Sequence, residues 1–192
     1  MCISRRQQGM TLIELIVFIV IVSVALVGVL TVFNVTAKSS GDPMIRKQML
    51  AVAEAVLEEV MLQPFTWCDP DDRSAATATS AVLDATATDP AQCWDAVEGL
   101  GVETVAGNTD TRLSATSPLD NVSDYNGLPP ITTSIAGTPM LAGYSASVSV
   151  AQSSLNGIAA TESLLIKVVV SYGGDSITLE GYRTRYSPNS LP

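Results

Sequence analysis

Gly9-Met10-Thr11-Leu12-Ile13-Glu14-Leu15-Ile16-Val17-Phe18-Ile19-Val20 opens a run that continues to Ala37 with no charged side chain after Glu14. Wound as a helix rising about 1.5 Å per residue, Leu15 to Ala37 spans roughly 35 Å, enough to cross a bilayer hydrocarbon core of about 30 Å. Two competing readings are a buried core helix and a cleaved secretory signal. A soluble core helix rarely stays apolar on every side over such a length. A secretory signal has a shorter apolar region with small residues after it, whereas here Ser23, Ala25 and Gly28 lie inside the run. Arg5 and Arg6 precede the run and predict a cytoplasmic N-terminus, with everything after about Lys38 extracytoplasmic.

Composition agrees with a membrane-associated or structural protein. The chain has 192 residues, 47% hydrophobic and 15% charged, against about a quarter charged in ordinary soluble domains. There is no histidine, which removes the commonest general base and metal ligand. A formal charge of −9 without a Lys/Arg cluster argues against nucleic acid, whose binding rests on phosphate neutralisation. Without histidine, an enzyme would need a Ser–Lys or carboxylate pair. Lys167 is the only lysine beyond the predicted helices, and no GxSxG or SxxK motif occurs. A membrane-anchored binding module is a third class.

Moving outward, Lys38-Ser39-Ser40-Gly41-Asp42-Pro43 predicts a helix break, with Gly41 as C-cap, Asp42 as N-cap and Pro43 opening a second helix. From Met44 to Gln63, Ile45, Met49, Val52, Val56 and Val60 form one apolar stripe opposite Lys47, Glu54 and Glu58, and Pro64 ends the helix. That stripe is expected to pack on a sheet, with a partner-binding face as the alternative. Near the C-terminus, Tyr144, Ala146, Val148 and Val150 alternate with serines, as in a half-buried strand. Ser163 to Ser171 is apolar enough for a central strand, and Gly173-Gly174 supplies a tight turn into Asp175–Tyr182. The expected class is α+β, a long N-terminal helix against an antiparallel sheet of three or four strands. Ser74 to Gln92, rich in Ala, Thr and Ser, carries no pattern on which to assign structure.

The junction Arg5-Arg6-Gln7-Gln8-Gly9-Met10-Thr11-Leu12-Ile13-Glu14 resembles the type III leader of type IV pilins and type II secretion pseudopilins. The resemblance implies cleavage by a prepilin peptidase between Gly9 and Met10 and N-methylation of Met10. Met10 stands where the family more often has Phe. It also implies a role for Glu14 in setting subunit register against a neighbour's terminal amine. The bland alternative is a carboxylate beside its own helix N-terminus. Further stretches resemble the minor pilins of mannose-sensitive haemagglutinin (MSHA) pili: Asp42–Gln48, Ala53–Glu59, Gln63-Pro64-Phe65, Cys68-Asp69-Pro70-Asp71-Asp72 and Asp120–Leu128. The resemblance implies other major and minor pilins and an inner-membrane assembly platform as partners, no cofactor, and a route from the inner membrane to a surface filament. Minor pseudopilins, which also can begin Met-Thr-Leu, are the nearest rivals.

The expected organisation is a leader (1–9), a transmembrane and filament-core helix (10–38), an amphipathic helix (42–63), a loop-rich variable region (64–143) and an antiparallel β region (144–192). Cys2 belongs to the leader, leaving Cys68 and Cys93 to close a disulfide loop in an oxidising compartment or to remain separate thiols. Two acidic clusters could hold a hard cation: Asp69, Asp71 and Asp72, and Asp120 and Asp124 with Asn121 and Asn126. Neither matches an EF-hand, because the later Glu is missing. The expectation is therefore turn-forming residues on an acidic surface and no metal.

Overall fold

The computed structural model describes residues 9–105 and 107–186, with side chains except at 35–42, 105 and 108. Cys2, Arg5 and Arg6 of the expected leader lie outside the described residues. The chain divides into two compact units, Met1–Ile45 and Arg46–Pro192.

A single helix, α1, runs Leu12–Leu62, with Pro43 inside it. The break expected at Gly41–Pro43 is therefore corrected to a continuous helix. Proline lacks an N–H and so removes one i→i−4 hydrogen bond at a cost of about 3 kcal/mol. One lost bond does not end a helix whose next turns are held by packing, since propagation is cooperative. In those turns Met49, Ala53, Val56 and Val60 are buried, while Ile45 and Val52 are half-buried. The spacing of four, three and four residues puts the buried set on one helix face. Ala53 belongs to that face although its small side chain contributes little to a hydropathy pattern.

Two small ribbon strands, β1 (Thr104–Val105) and β2 (Asn108–Thr109), precede a three-stranded antiparallel sheet. Its strands are β3 (Tyr144–Gln152), β4 (Ser163–Tyr172) and β5 (Asp175–Thr184), in the order β3-β4-β5. β4 is central, as its near-continuous apolar run implies, and pairs Val148 with Val168 and Val168 with Leu179. Leu164, Ile166, Val168 and Val170 of β4 face the core with Tyr144, Ala146, Val148 and Val150 of β3. The serines between the β3 core residues face out, so the period of two sets both faces. Gly173 and Gly174, at φ +59° and +105°, form the two-residue turn joining β4 to β5. Helix and sheet meet closely at Gly181 of β5: a Cβ there would stand 3.3 Å from Leu57 Cδ1 and 3.6 Å from Met61 Sδ. Gly181 thus keeps space for the α1 side chains.

Among the described residues, 63–103 contain no helix or ladder-forming strand. This stretch is held by side-chain chemistry. Cys68 and Cys93 form a disulfide with Cα atoms 5.4 Å apart, packed with Ala75, Ala78, Trp67 and Val97 in a small satellite core. The Asp84 carboxylate accepts the N–H groups of Thr86, Thr88 and Asp89 and organises the Ala/Thr-rich loop. The Arg185 guanidinium, just after β5, lies between the rings of Phe65 and Trp67, 3.8 and 4.0 Å from their centroids, and donates to the Thr66 carbonyl.

Two outcomes follow. Met49→Ala should lower the unfolding free energy of the detergent-solubilised full chain by about 2–5 kcal/mol, whereas Met44→Ala, at a position 63% exposed, should change it by no more than about 0.5 kcal/mol. Replacing both Cys68 and Cys93 by Ser should cost about 3 kcal/mol through freedom returned to the unfolded chain, read by chemical denaturation with and without reductant.

Candidate functional site

The candidate residues fall into two parts of the molecule, one in each unit. In the first, Gly9 and Met10 lie immediately before α1. Met10 is 67% exposed, and a Cβ at Gly9 would meet nothing within 4 Å. The Leu15 N–H bonds to the Thr11 carbonyl, so the helix starts within two residues of the Gly9–Met10 bond. That bond is thus presented on accessible, non-helical backbone directly in front of a rigid element. Glu14 is exposed in the first helical turn, where the unpaired N–H groups of a helix N-terminus favour negative charge.

Leu12–Asn34 is 23 residues long, apolar enough to cross a membrane, and has none of its residues buried within the chain. This is not the helix of a soluble core, whose apolar face would be covered. Large side chains such as Phe18 and Phe33 are more than three-fifths exposed. The hydroxyls of Ser23 and Thr31 donate to the carbonyls of Ile19 and Val27 one turn back, at 2.7 and 2.8 Å. They need no solvent, and the helix surface stays apolar to its surroundings.

In the second unit, the fold gathers carboxylates that are distant in sequence. Asp69 follows Cys68, Glu98 and Glu103 precede β1, Asp110 follows β2, and Asp124 lies in a short 3-10 turn, Ser123–Tyr125, a few residues after Asp120. One oxygen from each of Asp110, Asp120 and Asp124 lies within 4.8 Å of the others, and the same holds for Asp69, Glu98 and Glu103. The two acidic clusters legible in the sequence are rearranged. Asp69 joins the carboxylates, while Asp72 turns away and accepts the N–H groups of Ser74, Asp95 and Ala96. Asp120 and Asp124 are brought together, but Asn126 is not with them, because its Oδ1 accepts the Val150 N–H of β3 at 3.0 Å. Asn121 is fully buried and donates to Thr66 Oγ1. Glu98, Glu103 and Asp110 escaped the sequence reading because each is a lone acid with no motif spacing around it.

Burial and mutual repulsion dominate this cluster. Desolvation, added to the charges of Asp110, Glu103 and Asp71, pushes Asp69 up to about 6. Desolvation, with Asp69, Asp110, Asp71 and Glu103 nearby, pushes Asp120 up to about 7. Desolvation also raises Glu98, to about 10, with help from Glu103 and Asp124. Asp110 and Asp124 move upward for the same first reason, and the neighbouring Glu103 carboxylate raises both further. Asp72 goes the other way. Burial would raise it, but the N–H groups of Ala96, Ser74 and Asp95 outweigh burial and hold it low.

Protons on Asp69 and Asp120 bind the folded chain more tightly than the unfolded one, whose aspartates titrate near 3.8. Their stabilisation is complete below about pH 4 and is lost as the pH rises through about 6 and 7. Asp72 acts oppositely, its contribution disappearing as the pH falls through its lowered folded-state value. In chelator-containing buffer, the melting temperature should therefore peak on the acidic side and fall between about pH 5 and pH 8. A thermal unfolding series against pH reads this directly.

Residues 4–30 match the family model of the prokaryotic N-terminal methylation motif. No curated protein and no solved structure matches the chain. The matched segment contains Gly9, Met10 and Glu14 and enters the membrane-length part of α1. It supports a type IV pilin-like protein, structural rather than enzymatic, and implies processing by a prepilin peptidase and assembly with other pilins.

Proposed function

We propose that this chain is a minor pilin of an MSHA-type type IV pilus, most similar to its D subunit, acting in pilus biogenesis and surface adhesion. The observation that carries the reading is the N-terminal arrangement. An accessible Gly9–Met10 bond leads directly into a helix whose Leu12–Asn34 surface is wholly uncovered by its own chain. Such a surface is stable in a bilayer, and equally stable among identical helices in a filament core.

In this reading the N-terminus is cytoplasmic and the unit after Ile45 is periplasmic, where the Cys68–Cys93 disulfide is chemically at home. The peptidase removes residues 1–9 and the new amine of Met10 is methylated. As subunits enter the filament, Glu14 of one lies against the Met10 amine of its neighbour. In low dielectric either charge alone is costly and the pair is not, so register is set by the ion pair. A second reading, a minor pseudopilin of type II secretion, is favoured by the Met10-Thr11-Leu12 start alone. Restoration of pilus assembly rather than protein secretion in deletion strains separates the two.

Intact mass of the membrane-extracted protein should equal the chain without Met1–Gly9 plus one methyl group, and an unprocessed mature chain would refute the pilin reading. Glu14→Ala should be cleaved at the normal rate yet be depleted at least tenfold from sheared filaments. Incorporation at the parental level would remove Glu14 from the assembly step.

A further inference from the structure

We propose that Asn156 is a site of spontaneous deamidation. The Asn156–Gly157 turn, between β3 and β4, closes to a cyclic imide and is opened by one water to an acidic residue. The modification concerns only the unit after Ile45 and holds whether or not the chain enters a filament.

The chain has two Asn-Gly pairs, Asn126–Gly127 and Asn156–Gly157. Glycine after asparagine leaves the backbone nitrogen uncrowded by a side chain, which favours its attack on the asparagine amide carbon. The fold frees one pair and holds the other. Leu155 and Ile158 exchange two backbone hydrogen bonds, of 3.2 and 2.8 Å, across a two-residue turn. Asn156 and Gly157 are its exposed tip, at φ +46° and +88°. Among the described residues, nothing hydrogen-bonds the Asn156 side-chain amide or the Gly157 N–H. A Cβ at Gly157 would meet nothing within 4 Å, so the tip has room to rotate. Opening it breaks only the Leu155–Ile158 pair, and such hairpin ends open locally without unfolding the sheet behind them.

Asn126 is tethered instead. Its Oδ1 accepts the Val150 N–H at 3.0 Å, its own N–H donates to the Ser123 carbonyl, and it follows the buried Tyr125. Turning its amide toward the Gly127 nitrogen would leave the N–H of the buried Val150 unpaired. A lost buried hydrogen bond of that kind slows the step roughly tenfold or more.

The chemistry needs only base and water. The Gly157 nitrogen loses its proton to hydroxide and bonds to Asn156 Cγ. The Cγ–Nδ2 bond then breaks, and the nitrogen takes up a proton from water and leaves as ammonia. Water next adds to the imide. Cleavage between Cγ and the ring nitrogen gives an aspartyl residue. Cleavage between the backbone carbonyl carbon and that nitrogen gives an isoaspartyl residue, whose main chain runs through Cγ and is one atom longer. A two-residue turn has no slack for that extra atom. Between Asp124 and Glu162 the chain carries no Asp, Glu, Lys or Arg, so either product places a carboxylate on an otherwise uncharged stretch.

The test is an ageing series on the full-length chain in detergent, at about 37 °C and at about pH 8.5 or pH 6, followed by peptide mapping. Chymotryptic cleavage after Tyr144 separates the two Asn-Gly pairs for mass spectrometry. The Asn156 peptide should become about 1 Da heavier at least tenfold faster than the Asn126 peptide. Conversion should slow at least tenfold at the lower pH, because the attacking nitrogen must lose its proton. In guanidinium chloride the two peptides should convert at rates within about threefold of each other, the fold no longer distinguishing them. Asn156→Gly, which suits a positive φ, should keep the parental melting temperature and lose the acidic species on isoelectric focusing. Asn156 staying intact in the folded chain while it converts in guanidinium chloride would overturn the proposal. Equal rates at the two pairs in the folded chain would overturn it as well.

Discussion

An α-helix that is apolar around its whole circumference cannot be satisfied by the chain that makes it. Leu12–Asn34 has none of its residues covered in this protein. At roughly 25 cal/mol per Å² of apolar surface, leaving such a helix in water would outweigh the net stability of an ordinary domain. Such a helix is satisfied by lipid or by other helices of the same kind. The Gly9–Met10 junction, Glu14 and the inward-bonded hydroxyls of Ser23 and Thr31 all sit on or beside that one element.

The second unit solves a different problem, since much of its chain lacks repeating backbone hydrogen bonds. Its ordering rests on a few specific anchors to α1 and the sheet. Arg112 makes two parallel bonds to Glu59 of α1, at 2.7 and 2.6 Å, and a third to the Thr133 carbonyl, while the Tyr125 hydroxyl donates to the same Glu59. A fork-to-fork pair of this kind is directional, so one helix residue orients segments 53 and 66 positions away. The Tyr144 hydroxyl on Gln48, the rings stacked on Arg185 and the Cys68–Cys93 bridge act in the same way. Such anchors convert loops into a fixed scaffold, and a fixed scaffold can hold like charges together against their repulsion. The carboxylates around Asp110 are the consequence.

Legibility followed the range of the interaction responsible. Alternation at Tyr144–Val150, the apolar run of β4 and the paired glycines at 173 and 174 each act within a few residues, and each appears in the sheet where the sequence places it. Pro43 misled for a related reason. Its signal is local and real, but it costs one hydrogen bond, and the packing of Met49, Ala53, Val56 and Val60 lies further along the helix, out of reach of a capping argument. Asp72 and Asn126 looked like ligands by composition and turned out to be backbone organisers. Which of these an Asp or Asn becomes depends on the N–H groups that reach it, and those come from residues 94–96 and 150.

The amino-acid sequence alone determined the membrane-length helix, the Gly9–Met10 junction with Glu14 as the lone carboxylate after it, the amphipathic stripe and the antiparallel hairpin. Hydropathy, charge position and turn chemistry are properties of neighbouring residues, and those features need nothing more. Only the tertiary structure decided that α1 is unbroken, that Glu59 serves both Arg112 and Tyr125, and that carboxylates far apart in sequence gather as two triads, Asp69 with Glu98 and Glu103, and Asp110 with Asp120 and Asp124. Those outcomes arise from groups dozens of residues apart whose distances are set by packing, and electrostatic energy depends on distance in space rather than along the chain.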